Sequence, residues 1–348
     1  MGLRYGYAGK QMARKSSRKS NGSGELNLVA TIITSTLRWL VRTRTGRYVF
    51  LGFNALIILA GSGWYLAQPT ERKAEIRLLV SNYMEREKQV NLTELAWDLW
   101  QYYYGDQFVA SEFRGGENPV YGGVPDASGL SFKVRLLNNE GYAVGYADSL
   151  KNPLWVAYRL YDQAEVKKAG ERPDRFDTDE RTFAKVRSDD YTNSGYDRGH
   201  LAPNYGIALC YGREAQEQTF LMSNIVPQKH GLNAGPWKEL EMRAAVNYPA
   251  RYQEVWVLTG PVFGAQPKKT KGGVPIPEAC YKIMIDETGG KLRAQAFLMP
   301  QDIPKGATPK QFLTSIDEIE KRTGIDFLPE IEDQVENQLE SRTADGAW

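Results

Sequence analysis

Tyr196-Asp197-Arg198-Gly199-His200-Leu201-Ala202-Pro203 leads into Ser223-Asn224-Ile225-Val226-Pro227-Gln228, then into Leu232-Asn233-Ala234-Gly235-Pro236-Trp237-Lys238-Glu239-Leu240-Glu241. The chain has 2 histidines, His200 and His230, and both fall in this stretch. The His200 imidazole titrates near neutral pH, so it can take a proton from water. The Asn233 carboxamide oxygen can ligate a hard cation, and the Glu241 carboxylate can orient the water around it. Glu241 lies about two helical turns beyond Asn233, on a helix that Pro236 can open because its missing amide hydrogen does no harm there. This set suits metal-assisted hydrolysis of a phosphodiester.

The same blocks carry a resemblance. Asp-Arg-Gly-His at 197–200, Asn224-Ile225-x-Pro227-Gln228 and Leu232-Asn233-x-x-x-Trp237-x-x-Leu240-Glu241 resemble, in that order, the DNA/RNA non-specific endonuclease family. Secreted bacterial nucleases and mitochondrial endonuclease G belong to that family. Asn152-Pro153-Leu154-Trp155-Val156-Ala157-Tyr158 upstream extends the likeness, as do Leu258-Thr259-Gly260-Pro261-Val262-Phe263 and residues 317–324 downstream. The resemblance implies an α+β fold, with a ββα-metal finger built on a mixed or antiparallel sheet. It also implies a Mg2+-dependent endonuclease, with Mn2+ as a possible substitute, that cuts DNA and RNA with little sequence preference and leaves 5′-phosphate ends. Two other readings stay open: a non-catalytic nucleic-acid binder, and a phosphodiesterase with another substrate.

Carried over residue by residue, His200 matches the general base and Asn233 the single direct metal ligand. Glu241 matches the carboxylate that holds the ion's waters. Asn224 matches a position needed for activity. Asp197 and Arg198 are expected to fix the loop that bears His200, and Gly199 to permit a close approach. An upstream arginine should steady phosphate charge; the candidates are Arg172 and Arg175, whose forked donors suit that task. His230 stands at a variable position, and Lys268-Lys269-Thr270-Lys271 is a candidate contact for the nucleic-acid backbone. Homodimers are the family's habit.

With 348 residues, the chain allows one sizeable domain plus appendages. Its net charge of +2 hides an asymmetry. Residues 1–47 hold 10 Lys/Arg and one acid, Glu25, whereas the remainder holds 34 Lys/Arg (44 minus 10) and 41 Asp/Glu (42 minus 1). A nucleic acid must therefore be met by a local patch and a metal rather than by a global positive field. Cys210 and Cys280 are the 2 cysteines, read as separate thiols or as one disulfide, and they match no zinc-ligand spacing with the histidines.

Residues 1–47 read as a basic cytoplasmic tail, with a period near 3.6 at 26–41 for an amphipathic helix on a membrane or a partner. Residues 48–67 are almost all apolar or small and long enough for a transmembrane anchor. The basic tail puts the N-terminus in the cytoplasm and the nuclease domain across a bacterial inner membrane in the periplasm. A mitochondrial inner membrane is the alternative. Residues 68–130 form a connector: a charged helical pattern at 71–88, an aromatic cluster at Trp97, Trp100, Tyr102, Tyr103 and Tyr104, and a Gly-rich loop at 114–130. That cluster is either a base-stacking platform or a helix packed on the domain.

The nuclease domain spans 131–330 and an acidic peripheral tail 331–348. Strands are predicted at 131–137, 142–147, 154–161, 218–224, 254–258, 281–286 and 292–298. Helices are predicted from Trp237 to Tyr248 and from Pro309 to Arg322.

Overall fold

The computed structural model describes residues 43–68, 92–162 and 171–348, with positions 73, 76 and 77 between them. The chain divides into two units, Met1–Lys73 and Ala74–Trp348. In the first, helix α1 runs over Arg44–Ala67, capped where Thr43 Oγ1 accepts from Gly46 N at 2.9 Å. The predicted span at 48–67 is thus helical. Yet among the described residues no helix is long and apolar enough to cross a membrane. The structure gives no support for a bilayer crossing there, nor for the topology with a cytoplasmic N-terminus that followed from it. The amphipathic pattern at 26–41 lies outside the described residues, as does nearly all of 71–88.

The second unit begins with α2 (Leu92–Tyr104), followed by strands β1 (Val109–Ala110), β2 (Arg135–Asn139), β3 (Tyr142–Ala147) and β4 (Asn152–Tyr161). After a long loop come β5 (Asp197–His200), helices α3 (Asn204–Tyr211) and α4 (Arg213–Gln218), and β6 (Ile225–Gln228). A helical run over 230–252, α5, is made of short segments joined end to end. It bends at Gly235, whose φ of −99° and ψ of −124° are not helical. Strands β7 (Glu254–Val262), β8 (Ala279–Thr288), β9 (Lys291–Pro300) and β10 (Leu313–Thr314) follow, then α6 (Ile316–Thr323) and α7 (Asp333–Glu340).

One sheet organises this unit, in the order β1-β9-β8-β7-β4-β3-β2, with β10 on β9 and every pairing antiparallel. Side chains alternate across a strand, and both faces are covered. Trp155 and Ala157 of β4, Trp256 and Leu258 of β7, and Tyr281, Ile283 and Ile285 of β8 enter one core, where Ile319, Phe327, Val335 and Leu339 also pack. The alternate residues Val156, Tyr158, Leu160, Val255, Val257, Cys280 and Met284 enter the other, with Leu201, Leu232, Trp237 and Leu240 from the β5–α5 region. The α+β class, with an antiparallel sheet, is as the sequence implied.

Three predicted segments differ. Residues 218–224 are not a strand. The backbone makes a 3-10 turn at Met222–Asn224 and extends only from Ile225. Residues 309–322 are not one helix. A 3-10 turn at Pro309–Phe312 leads to β10, and Ser315, in an extended conformation, caps a fresh start by accepting from Glu318 N at 3.2 Å. The last 18 residues pack instead of trailing, since Ile331, Val335 and Leu339 are buried. In α2, Asp98 is buried and pairs with Arg251 at 2.6 Å, while Trp97, Trp100 and Tyr104 stay exposed.

Candidate active site

Two strands and a helix converge on His200. β5 pairs antiparallel with β6, with Gly199 opposite Val226 and His200 opposite Ile225, and α5 leaves directly after β6. Gly199 is required by contact: a Cβ there would stand 2.1 Å from Gln228 Oε1. The turn after His200 is held by Asn224, which is fully buried. Its carboxamide accepts from Ala202 N at 2.8 Å and donates to Ala202 O and Thr219 O at 3.0 and 2.9 Å. Asn224 therefore braces the backbone beside His200 and does not line the cleft.

The cleft, of about 300 Å³, is lined by His200, Asn233, Glu241, Arg172, Arg198 and Lys238, with residues of α3 at its rim. The His200 ring lies among aromatic neighbours, 4.8 Å from Phe220 and 5.4 Å from Phe176 between centroids. It is 9% exposed, and its Nε2 has no hydrogen-bond partner. Burial, followed by the charge of Arg172, pushes its pKa down to about 3, so the imidazole is neutral at physiological pH. Trp237 Nε1 donates to His200 O at 3.3 Å and ties α5 to the strand.

Asn233 Nδ2 donates to Asp197 Oδ2 at 3.0 Å, and His230 Nδ1 lies 2.9 Å from the same oxygen. Asp197 thus fixes the amide by its nitrogen and leaves the oxygen for a ligand. His230 is itself exposed. Arg198 donates to Ser188 O from Nε at 3.2 Å and from Nη2 at 2.6 Å. It braces the loop while its side chain still lines the cleft.

Only one of the two arginine candidates reaches this site. The loop after 171 is pinned where Asp177 N donates to Phe220 O at 3.1 Å and Met222 N to Asp177 O at 2.8 Å. That contact carries Arg172 over the Phe220 ring, 5.3 Å from its centroid. Arg175 does not line the cleft, and neither does the 268–271 lysine loop.

Glu241 is partly exposed as a residue, yet its Oε1 is buried without a hydrogen bond. Burial raises its pKa, opposed first by the charge of Lys282. Lys282 is fully buried in β8; its Nζ lies 3.2 Å from Tyr158 Oη and 4.3 Å from the Trp237 ring centroid. Burial lowers its pKa, opposed by Glu241. Sequence reasoning singled out neither Lys238, which lines the cleft, nor Lys282, whose charge acts on Glu241. A lysine between Tyr281 and Ile283 in an apolar strand, on the parity of Cys280 and Met284, was the available signal.

One amide oxygen and one carboxylate suit a cation that keeps most of its waters. The unpartnered Glu241 Oε1 and the Asn233 oxygen freed by Asp197 fit such an ion. Cys210 and Cys280 are both buried and no disulfide joins them, so that pairing falls.

A family model described as "DNA/RNA non-specific endonuclease" matches residues 126–334. The chain is 32% identical over 226 residues to a nuclease of Serratia marcescens, covering 62% of this chain and 82% of that one. It is 30% identical over 219 residues to mitochondrial endonuclease G of Homo sapiens, covering 58% and 72%. It is 31% identical over 221 residues to a nuclease of Nostoc, covering 60% and 78%. Its fold resembles a solved structure, from the EndoG/EndoGI complex, with a TM-score of 0.52 and 24% identity over 57% of this chain and 88% of that one.

Proposed function

Since the chain belongs to the DNA/RNA non-specific endonuclease family, we propose that it hydrolyses DNA and RNA phosphodiesters with His200 as general base and Mg2+ held at Asn233 and Glu241. The observation that carries this reading is the cleft itself. A neutral imidazole, a freed amide oxygen and an unpartnered carboxylate oxygen share it with three cationic side chains. When bound, the ion would offset phosphate charge and stabilise the departing 3′ oxygen.

The chain's own groups supply the rest. Phe176 and Phe220 pack against the His200 ring, and burial keeps the imidazole neutral, the form that can accept a proton from the attacking water. Asp197 orients the Asn233 amide. Lys282 offsets the Glu241 charge in a buried setting. Arg172, Arg198 and Lys238 meet phosphate oxygens, which carry no sequence information; little sequence preference follows. Of the two upstream arginines, Arg172 takes the phosphate role.

The test is direct. The 348-residue chain with Mg2+ should degrade both plasmid and RNA, and His200→Ala should slow cleavage by about 10²–10⁴-fold. Protein that binds plasmid yet leaves it intact would instead make this a non-catalytic binder. Turnover of bis-p-nitrophenyl phosphate without turnover of either polymer would assign a small-molecule substrate. Pairing of copies belongs to the same proposal: light scattering should give twice the 39.3 kDa chain mass.

A further inference from the structure

A second place gathers carboxylates that make no ion pair among the described residues, on the sheet face opposite the cleft. Carboxylate oxygens of Asp317, Glu320 and Glu340 lie within 4.8 Å of one another, and so do those of Asp326, Glu336 and Glu340. Three separate pieces of backbone supply them: α6, the segment after it, and α7. The architecture fixes their places. Asp326 is bound through its backbone to Asp126, with N–O distances of 2.8 and 2.9 Å in both directions. Glu320 Oε1 accepts from Phe327 N at 2.7 Å. The adjacent basic side chains turn elsewhere, Lys321 to Glu318 and Arg322 to Glu278.

Glu340, shared by both triads, is the decisive residue. It is 6% exposed, and its Oε1 is buried with no hydrogen-bond partner. A buried, unpaired carboxylate is costly unless something neutralises it. Burial and the surrounding acids raise the pKa of Glu340, and burial is also the main cause of the upward shift at Glu320. A proton on Glu340 would remove one of the five charges and leave four. A cation bound by Glu340 would offset charge in both triads that this residue completes.

We infer that Glu340, with Asp317, Glu320, Asp326 and Glu336 around it, forms a divalent-cation site that ties α7 to α6. The donors are all carboxylate oxygens and come from three separate stretches of backbone. That suits Ca2+, which accepts irregular sets of six to eight oxygens, better than Mg2+, which demands a strict octahedron. Such an ion would hold α7 onto the core that Val335 and Leu339 enter, and it is separate from the ion at Asn233.

The experiment uses the full chain carrying Asn233→Ala, which silences the cleft, alongside the unmodified chain. Thermal melts in EGTA and in millimolar Ca2+ should show a higher Tm with Ca2+ in both. Glu340→Gln should abolish that rise and weaken Ca2+ binding in calorimetry by about tenfold or more. Because this substitution removes like-charge repulsion, the variant should fold in EGTA; Asp326→Asn, at an exposed position, gives the same reading independently. A Ca2+ effect missing from the Asn233→Ala protein, or one that survives both Glu340→Gln and Asp326→Asn, would overturn the site.

Discussion

His200 is kept neutral by what surrounds it, without a hydrogen bond to Nε2. Its pKa falls from an ordinary value near 6.5 to about 3 through burial and the Arg172 charge. The unfolded chain therefore binds a proton that the folded chain refuses, and acid favours unfolding. The linked stability is complete above pH 6.5 and is lost as pH falls from there toward 3, at about 1.4 kcal/mol per pH unit. Going from pH 7 to pH 5 should cost about 2 kcal/mol through this residue. Urea unfolding at both pH values measures it, and His200→Ala should lack that share of the difference; an equal difference in both proteins would refute the assignment. At this scale the sequence was legible where side chains recur in a fixed string. Asp197, Gly199, His200, Asn233 and Glu241 were all named from their order. Arg172 and Arg175 could not be separated, because the contact that selects Arg172 is made by loop backbone to Phe220 and Met222, and no local pattern encodes it.

The elements explain why Lys282 lay hidden. Strand β4 was legible because apolar residues fill it continuously, as a strand covered on both faces requires. Strand β8 was legible for the same reason, and its lysine was read past. Parity points Lys282 to the face where Trp237 and Glu241 of α5 arrive, and only the packing of helix on sheet reveals that meeting. Strand β6 was misplaced for a related reason. Thr219, Phe220 and Leu221 have strand-forming side chains, but the Asn224 carboxamide binds their neighbourhood into a turn. The β8–α5 contact yields a prediction. Lys282→Met removes the main charge opposing the burial of Glu241, so the Glu241 pKa should rise further and the carboxylate should be protonated more readily near neutrality. The Mg2+ concentration for half-maximal cleavage should then increase about 10–100-fold, the usual cost of losing support behind a metal-binding group. A Mg2+ titration of the cleavage rate checks this, and an unchanged midpoint would show that Lys282 serves packing alone.

Across the whole molecule, charge is divided in a way that constrains how a polyanion is held. Residues 48–348 carry 34 Lys/Arg against 41 Asp/Glu, while residues 1–47 carry 10 Lys/Arg against one acid. The sequence made this division plain, but it could not show that three cations converge on one cleft from separate elements: Arg172 from a loop, Arg198 from β5 and Lys238 from α5. Each phosphate neutralised on a duplex releases condensed counterions, so log K falls with log salt at about 0.9 per contact. Three contacts give a slope of about −2.7, and Arg172→Ala should reduce it to about −1.8, whereas Arg175→Ala should leave it unchanged. Binding of a short duplex, measured on the His200→Ala full chain so that the duplex stays intact, provides the slope. A value steeper than about −6 would mean that the basic segment 1–47 dominates affinity and the cleft contributes little. A slope near −2.7 that loses about 0.9 with Arg172 would place the recognition of nucleic acid in the cleft, by phosphate contacts alone.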